Sequence, residues 1–406
     1  MKIYDSPGAS LRDAGPTGLQ PIDWADGIVV KIALVNKVMS RRGGGGERYA
    51  VDLAHHLLSF DCQVHAYGQL LEDLPQAVQR HPVTAPVRPG FRKITGFIRS
   101  VRSALGDQHY DIIYALTQFY PTDIYFMGGG MHEHWMHVRD PNPVMRQLRY
   151  LINPTHLVMR RVERRLCRAA NCRVVIANSN MVKRHAMVYG GVPGERIQVV
   201  HNGVDLNTFN LGVCRQLRTS VRRELGFGED QIVILFIAHN WRRKGLETLM
   251  RALGMILRQV PRYQLVVAGR GRIGAFAKII QQNKLHDHVR FVGPVDAPQR
   301  YYAGADLMVL PTMYDPCAGV TLEAMACGLP VITTASNGAS ELINEQSGFV
   351  LENHTDATTL SHYLLYLAED PIRTAMGQHA ARVMQDHSFA KVAQRTYEIM
   401  RAMIRK

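Results

Sequence analysis

The sequence predicts an α/β protein made of two doubly wound domains of similar size, each a parallel sheet with helices on both faces. Apolar runs typical of buried strands alternate with amphipathic, helix-like segments along almost the whole chain. This alternation forms two series, which are separated near residues 205–212. A chain of 406 residues is also too long for one ordinary hydrophobic core and suits two domains.

The first series predicts a domain over residues 28–208. It opens with a β-rich run at 28–35, which leads through a glycine-rich loop into a helical pattern over 47–58. Residues 1–27 are interrupted by three prolines, so we predict a poorly ordered leader and no secretion signal. Further strands are predicted at four apolar runs, at residues 62–67, 111–115, 174–177 and 197–200.

The second series predicts a domain over residues 209–388. From residue 356 onward the pattern is helical, and 389–406 is predicted to form a separate final helix. Open sheets of this kind bind ligands at the carboxyl ends of their strands, so the loops that follow strands are the candidate sites. The strands are predicted at five apolar runs, at residues 232–238, 265–268, 289–292, 307–310 and 331–333.

Composition excludes several classes of protein. No apolar run reaches the roughly 18 residues of a membrane span. The six cysteines lack the spacing of a zinc site or a disulfide framework, so we expect reduced thiols in the cytoplasm and no structural metal. The net charge of +14 indicates an anionic partner, but no zinc-finger or basic-aromatic signature points to nucleic acid.

Much of the positive charge lies in one segment, residues 145–173. It contains eight arginines and a single acid, Glu163, with apolar residues between them. A basic helix with an apolar side can bind the surface of an anionic membrane. A domain helix with a solvated arginine face would have the same pattern, and the segment alone does not separate these interpretations. The arginines are Arg146, Arg149, Arg160, Arg161, Arg164, Arg165, Arg168 and Arg173.

Two carboxylates, Asp315 and Glu323, enclose a small-residue turn that runs into a short predicted helix. The first turn of a helix has unpaired N–H groups and the positive end of the helix dipole. The amides of Ala318, Gly319 and Val320 are therefore predicted to face an anionic ligand, such as a sugar joined to a diphosphate. In the alternative interpretation, Asp315 only caps the helix and Glu323 lies on its solvated face.

Two other loops follow predicted strands. Arg243 and Lys244 begin a helix after the first strand of the second domain, where two cations beside helix amides would clamp a diphosphate. A solvated basic turn is the competing interpretation. Gly44 and Gly45 follow the first strand of the first domain, where glycines let the backbone approach a phosphate.

These motifs resemble the retaining GT-B glycosyltransferases of family 4. The match is nearly residue for residue from Leu322 to Val331, and the chain departs from the family pattern with Asp315 in place of the usual glutamate. The glycine loop, with Glu47 and Arg48 after it, is similar to a second family segment, and the Arg-Lys-Gly turn at 243–245 is similar to a third.

The resemblance covers about residues 31–367, and the sequence pattern of this region is similar to that of bacterial lipopolysaccharide core glycosyltransferases. It implies the GT-B fold, in which two Rossmann-like domains face a cleft and a C-terminal helix crosses back to the first domain. It also implies transfer of a hexose from a nucleotide diphosphate sugar, UDP-linked, to a glycolipid acceptor. The mechanism would be retaining and independent of metal or other cofactors, in the cytoplasm at the inner face of the membrane.

The resemblance further implies a role for each residue of the second domain. Glu323 would hold the ribose hydroxyls of the nucleotide, and Asp315 would hold the donor sugar. Arg243, Lys244 and the amides near Gly319 would neutralise the leaving diphosphate.

In the first domain, the resemblance implies that Gly44 and Gly45 pack against the diphosphate and the acceptor. His132 matches a family histidine that contacts the sugar or the leaving phosphate, and a structural histidine is the alternative. His132, Glu133 and His134 together suggest a metal site, but they lack the helical i, i+4 spacing of zinc proteases.

Other classes of function predict other features. A GT-B epimerase or hydrolase of sugar nucleotides would share the cleft but use additional catalytic carboxylates. A dinucleotide oxidoreductase would need a Gly-x-Gly-x-x-Gly fingerprint, which is missing. A non-catalytic protein that binds sugar nucleotides or nucleic acid is the remaining alternative, given the charge of +14.

Overall fold

The computed structural model describes residues 29–404 apart from residues 87 and 89, so the predicted leader at 1–27 lies outside the described residues. The chain forms two α/β domains, each with a parallel sheet flanked by helices, and the predicted fold class is confirmed. Within the described ranges, no helix is both long and apolar enough to cross a bilayer.

The first domain has nine strands among the described residues, of which seven form one sheet and two form a separate short pair. Its strands are β1 (Lys31–Val35), β2 (Val38–Met39), β3 (Gln63–Gly68), β4 (Leu70–Leu71), β5 (Gln79–Pro82), β6 (Ile112–Ala115), β7 (Thr122–Phe126), β8 (Cys172–Ala177) and β9 (Ile197–Val199). Its helices are α1 (Gly45–Leu58), α2 (Gly90–Leu105), α3 (His132–Arg139), α4 (Pro143–Ile152), α5 (Pro154–Leu166) and α6 (Asn180–Gly190). The strand order is β5-β3-β1-β6-β7-β8-β9, and β2 pairs with β4 alone. This order reverses beside β1, so the ligand crevice is expected at the loop after β1.

The second domain has a six-stranded sheet of the same kind. Its strands are β10 (Ile232–Ile237), β11 (Tyr263–Ala268), β12 (Val289–Gly293), β13 (Leu307–Leu310), β14 (Val331–Thr334) and β15 (Gly348–Leu351). The helices that follow α6 are α7 (Leu211–Glu224), α8 (Leu246–Ile256), α9 (Ala277–Gln282), α10 (Pro298–Gly304), α11 (Gly319–Ala326), α12 (Ala357–Tyr366), α13 (Asp370–Met384) and α14 (Phe389–Ile404). The strand order β12-β11-β10-β13-β14-β15 reverses between β10 and β13, which places the crevice at the ends of these two strands.

The central strands are apolar on both faces, as expected for parallel sheets that helices cover on both sides. Every residue of β10 and of β11 is buried. In β1 the side chains alternate between two cores, because Ile32 and Leu34 pack with α1 whereas Ala33 and Val35 pack with α2. A slip of one residue would exchange the two faces, so this pattern fixes the register of β1.

Each strand predicted from the sequence corresponds to an observed strand. The structure adds β2, β4, β5, β7 and β15, which were not predicted. Strand β5 reads Gln-Arg-His-Pro and β7 begins with Thr-Asp, while β15 has only four residues and begins with glycine. Strands β7 and β15 do contain short apolar runs, Ile-Tyr-Phe and Phe-Val-Leu, which were not recognised as strands, whereas β5 has none and β2 and β4 have only two residues each.

The final helix, α14, leaves the second domain and packs on the first. Phe389 lies edge-on to Tyr49 of α1, with ring centroids 5.2 Å apart, and Tyr397 stacks on Phe60 at 5.0 Å. The chain thus passes between the domains twice, and backbone hydrogen bonds of 3.0 and 2.9 Å at Val204 join the two passages.

Candidate functional site

The basic turn and the carboxylate loop meet where the strand order of the second sheet reverses. The turn follows β10, the loop follows β13, and these strands are neighbours. The Lys244 ammonium contacts the Asp315 carboxylate there, and both side chains are largely buried. Gly245, at φ 81°, is required for this approach because a Cβ would lie 1.9 Å from the Pro311 carbonyl oxygen. Two residues predicted from separate motifs are therefore in direct contact.

The two cations of the turn are in different surroundings. Burial and the neighbouring Arg243 guanidinium lower the pKa of Lys244, and the Asp315 carboxylate opposes this shift by stabilising the ammonium. The Arg243 guanidinium lies over the ring of Trp135 in the first domain, 5.6 Å from its centre. Its Nε is buried and has no hydrogen-bond partner among the residues described. Arg243 therefore retains donor capacity for an anionic ligand.

The carboxylate loop is held by the fully buried Asn337, whose side-chain oxygen accepts a hydrogen bond of 3.0 Å from the Ala318 N–H. The neighbours of Asn337 also hold Asp315. The Asp315 N–H donates to the Ser336 carbonyl and the Asp315 carbonyl accepts from the Gly338 N–H, both at 2.9 Å. The Ala318 amide is thus occupied within the protein, contrary to the prediction that it faces the ligand. Gly319 and Val320 supply the first amides of α11, which intrahelical bonding leaves free.

Glu323 lies in α11, and its carboxylate has a partner from each domain. Tyr302 of α10 donates a hydrogen bond of 2.8 Å to Oε2, and Arg48 of α1 approaches Oε1 at 3.4 Å. Burial raises the pKa of Glu323, while the Tyr302 hydrogen bond and the Arg48 charge act to lower it. The side chain is 15% exposed, so a ligand in the cleft can reach it.

The glycine loop belongs to the same cleft. Gly44 is the N-cap residue of α1, and Gly45 is its first residue. Gly45 and Gly46 have open space where a Cβ would lie, and no side chain caps the helix. Because Arg48 in this first turn contacts Glu323, the free amides at the start of α1 lie near α11 across the cleft.

His132 contacts another histidine and a buried acid. Its Nε2 lies 3.1 Å from Nδ1 of His156, and its backbone N–H donates to the Glu163 carboxylate at 2.8 Å. Burial and the neighbouring His156 lower the pKa of His132 to about 4, so the ring is neutral near pH 7. The described contacts do not join His132 to Asp315 or Glu323, and its role as a ligand stays a prediction.

A cavity of about 430 Å³ opens at the carboxyl ends of β10, β11 and β12. Its walls include Trp241, Phe291 and Gly271, and a Cβ on Gly271 would lie 2.2 Å from the Trp241 ring. Flat apolar walls of this kind suit a planar heterocycle. Sequence reasoning missed this cavity, although the Gly269-Arg270-Gly271 segment directly after β11 is a signal that could have identified it.

Two family models match the chain, one in each domain. The model described as Glycosyltransferase Family 4 matches residues 43–208, beginning in the glycine loop. The model described as Glycosyl transferases group 1 matches residues 218–383, which include the basic turn and both carboxylates. The chain belongs to the GT-B glycosyltransferases. The resemblance to family 4 is confirmed to this extent.

Curated relatives of this GT-B protein match it over part of their length. An uncharacterised glycosyltransferase of Methanocaldococcus jannaschii is 29% identical over 179 residues, which are 43% of this chain and 45% of the relative. The D-inositol 3-phosphate glycosyltransferase of Kineococcus radiotolerans is 28% identical over 251 residues, which are 57% of each. The chain therefore spans about half the length of the curated relatives it matches.

Solved structures support the fold. WaaG, described as a glycosyltransferase involved in lipopolysaccharide biosynthesis, superimposes with a TM-score of 0.79 at 18% identity, over 91% of this chain and 99% of WaaG. HepE of Anabaena, solved with UDP and glucose, gives a TM-score of 0.69 at 20% identity, over 92% of this chain and 99% of HepE. Both structures have the two-domain arrangement described above, which confirms the predicted GT-B fold.

Proposed function

We propose that this GT-B protein is a retaining hexosyltransferase that uses a nucleotide diphosphate sugar, UDP-linked, and a glycolipid or lipopolysaccharide core acceptor. The observation that carries the proposal is the contact between Lys244 and Asp315 at the switch point of the second sheet, with Glu323 in the helix that follows Asp315. Arg48 of the first domain reaches Glu323 across the cleft, so both domains border the same ligand space.

In the proposed reaction, Glu323 accepts hydrogen bonds from ribose hydroxyls, and Asp315 accepts them from the donor sugar. Lys244, Arg243 and the first amides of α11 neutralise the leaving diphosphate. Because that charge develops in the transition state, donors that are already in place lower the barrier more than they strengthen ground-state binding. The acceptor hydroxyl attacks on the face that the diphosphate leaves, and the diphosphate takes its proton.

The same charges support a reaction without metal or other cofactor. A divalent ion in transferases neutralises the leaving phosphates, and here Lys244 and Arg243 supply positive charge beside free helix amides. For the donor base, HepE in complex with UDP and glucose is a protein of the same fold, which favours UDP as the first candidate.

A glycolipid acceptor is supported by the surface of α4. Its large apolar side chains are exposed and recur at the spacing of one helix face. Leu151 is 72% exposed and Ile152 is 81% exposed. Such a face suits insertion into the headgroup region of a membrane. The exposed residues are Val144, Met145, Leu148, Leu151 and Ile152.

Six of the eight arginines of the basic segment divide into two groups. Of the other two, Arg146 donates to the Asp140 carbonyl at 3.0 Å and Arg173 pairs with Asp123 at 3.4 Å. Arg149 pairs with Asp140 at 2.6 Å, and Arg160 pairs with Glu133 at 2.7 Å, so these two are neutralised within the protein. Four arginines at the end of the segment are exposed and available to an anionic lipid surface: Arg161, Arg164, Arg165 and Arg168. We therefore propose a peripheral position on the inner face of the cytoplasmic membrane.

Donor screening tests the proposed reaction. Thermal shift with UDP-, GDP- and ADP-sugars identifies the donor, because a ligand at ~100 times its Kd stabilises a protein by about 2.7 kcal/mol. Nucleotide release in the presence of a core saccharide then measures transfer, and the anomeric configuration of the product by NMR tests retention. Free sugar or an epimerised donor without acceptor would favour a sugar-nucleotide hydrolase or epimerase. Binding without turnover would favour a non-catalytic sugar-nucleotide-binding protein.

Sedimentation with vesicles that contain anionic lipid tests the membrane surface. The wild type should sediment at low salt and stay in solution at high salt. Leu151→Ser with Ile152→Ser, and separately Arg161→Glu with Arg164→Glu, should each weaken this binding. Met255→Ser is the control, because Met255 is an exposed apolar residue of the second domain. Equal binding by all four proteins would indicate that the segment is only a solvated helix face.

A further inference from the structure

The first turn of α6 in the first domain is closed by a carboxylate from the second domain. Glu341, in the short helix at Gly338–Leu342, accepts hydrogen bonds from the backbone N–H groups of Asn180 (2.8 Å) and Met181 (2.7 Å). It also accepts from the Asn180 side chain at 2.9 Å and from Nε2 of His201 at 2.8 Å. Although burial acts to raise it, these hydrogen bonds lower the pKa of Glu341 to about 2, and the carboxylate is ionised near neutral pH.

The contact continues from α6 to the carboxylate loop. Ser179 Oγ donates to the Pro316 carbonyl at 2.8 Å, and Asn202 Nδ2 donates to the Cys317 carbonyl at 3.0 Å. Gly338 packs against both Ser179 and Pro316, since a Cβ there would lie 2.4 Å from Ser179 Oγ and 1.9 Å from the Pro316 oxygen. Two first-domain side chains thus hold the two peptide carbonyls that follow the first acid of the site.

This arrangement couples the orientation of the domains to the geometry of the site. A carboxylate at a helix N-terminus is stabilised both by the amides and by the helix dipole. Here the amides and the carboxylate come from different domains, so the stabilisation is present only when the domains have this relative orientation. A contact that exists in one orientation and not in another shifts the population toward the first.

We propose that Glu341 is a positioning residue that holds the first domain against the carboxylate loop, so that Arg48 reaches Glu323 and Arg243 reaches Trp135. The proposal rests on the proposed function. Glu341 touches neither the acids nor the cations of the site, so it acts through the orientation that it stabilises. A residue that only stabilises the fold would instead affect nucleotide binding and turnover together.

The test uses Glu341→Gln in the full chain, which keeps the side-chain shape but removes the charge. Glu345→Gln is the matched control, because Glu345 is an exposed acid in the same segment. Three quantities are measured: the Kd for UDP by calorimetry, kcat for transfer, and hydrogen exchange at the amides of the first turn of α6. Most groups proposed to bind UDP lie in the second domain, and only Gly44 and Gly45 come from the first, so the Kd for UDP should change much less than kcat in Glu341→Gln.

In Glu341→Gln, exchange at the first turn of α6 should accelerate and kcat should fall by about tenfold to a hundredfold, as expected for misplaced reacting groups. Glu345→Gln should match the wild type in all three measurements. Faster exchange with unchanged kcat would overturn the positioning role, and unchanged exchange would overturn the contact itself. Loss of UDP affinity in parallel with kcat would identify a general structural role.

Failure of the proposed function gives a different result. A wild type that binds none of UDP, GDP and ADP would refute the donor site, and the positioning role would fall with it. Hydrogen exchange at α6 would still report whether Glu341 joins the domains, because that measurement needs no ligand or turnover.

Discussion

The Tyr302→Phe substitution removes a hydroxyl whose shorter hydrogen bond is to Glu323 and which also lies 3.3 Å from the Val320 carbonyl oxygen. The Tyr302 hydroxyl lies 2.8 Å from Glu323 Oε2, and the side chain is fully buried on α10. Phenylalanine keeps the ring and its edge-on contact with Phe209, whose centroid is 5.9 Å away. The substitution therefore removes a donor to the carboxylate and leaves the packing in place.

The expected loss follows from the charge of the acceptor. A hydrogen bond to a charged group contributes about 1.5–3 kcal/mol, and about 1.4 kcal/mol corresponds to a factor of ten. Arg48 remains beside Glu323 at 3.4 Å, which favours the lower half of this range. We expect donor affinity to fall by about tenfold to fortyfold, with most of the effect in KM, since Glu323 is proposed to hold the nucleotide in both ground and transition states.

The pH dependence should change as well. Burial raises the pKa of Glu323, and Tyr302 and Arg48 oppose that shift. Removing the Tyr302 hydroxyl should therefore raise this pKa further. Donor binding needs the carboxylate and is lost as pH falls through its pKa, so the acidic limb of the profile should move to higher pH in Tyr302→Phe.

Tyr263→Phe is the matched control. The Tyr263 hydroxyl is also buried in the second domain and donates to the Leu364 carbonyl, away from the cleft. Both variants should stay folded in urea denaturation, and Tyr302→Phe should lose more stability than Tyr263→Phe because its hydrogen bond is made to a carboxylate. Only Tyr302→Phe should raise KM for the donor and shift the acidic limb. Equal kinetics in the two variants would refute the assignment of Glu323 to donor binding.

Three further outcomes are expected. Lys244→Met should lower the free energy of unfolding by about 3–5 kcal/mol in urea denaturation, because it leaves Asp315 buried without its partner. Adding Asp315→Asn to this variant should recover part of the loss. If the losses of stability caused by the two substitutions were additive, the pairing would be contradicted. EDTA should leave initial rates unchanged, whereas activity lost in EDTA and restored by magnesium would show that the cations are insufficient. The depressed pKa of Glu341 contributes stability above its ordinary value of 4.5 that is lost as pH falls toward about 2. The difference in Tm between wild type and Glu341→Gln should therefore shrink over that range, and a constant difference would argue against the hydrogen bonds to α6.

Local chemistry explains which parts of the site could be predicted from the sequence. Asp315, Lys244 and Gly245 lie directly after strands, and the reversal of strand order brings these strand ends together. Apolar runs identified the central strands for the same reason, since a strand buried on both faces needs apolar residues at every position. Edge strand β5 escaped prediction because its polar residues reveal nothing of its backbone pairing.

Residues that act across long sequence separations were not predictable. Tyr302 reaches Glu323 from an ordinary helix 21 positions earlier, and no motif marks it. Ala318 was assigned to the ligand because the first amides of a helix lack intrahelical partners, yet Asn337, 19 positions later, occupies its amide. No sequence motif marks Glu341, and its role follows only from its contact with α6, 160 positions away. Partner identity in each case depends on the packing of distant elements.

The contact between Asp315 and Lys244 gives a physical reason for the two kinds of charge in this site. A buried ammonium without a partner would be costly, and Asp315 neutralises it while the cleft holds no ligand. A diphosphate that enters the cleft brings a stronger negative charge to the same ammonium and can share it with the carboxylate. Asp315 would then have acceptor capacity to spare for the hydroxyls of the sugar. One ion pair thus keeps the empty site stable and prepares both residues for the two halves of a sugar diphosphate.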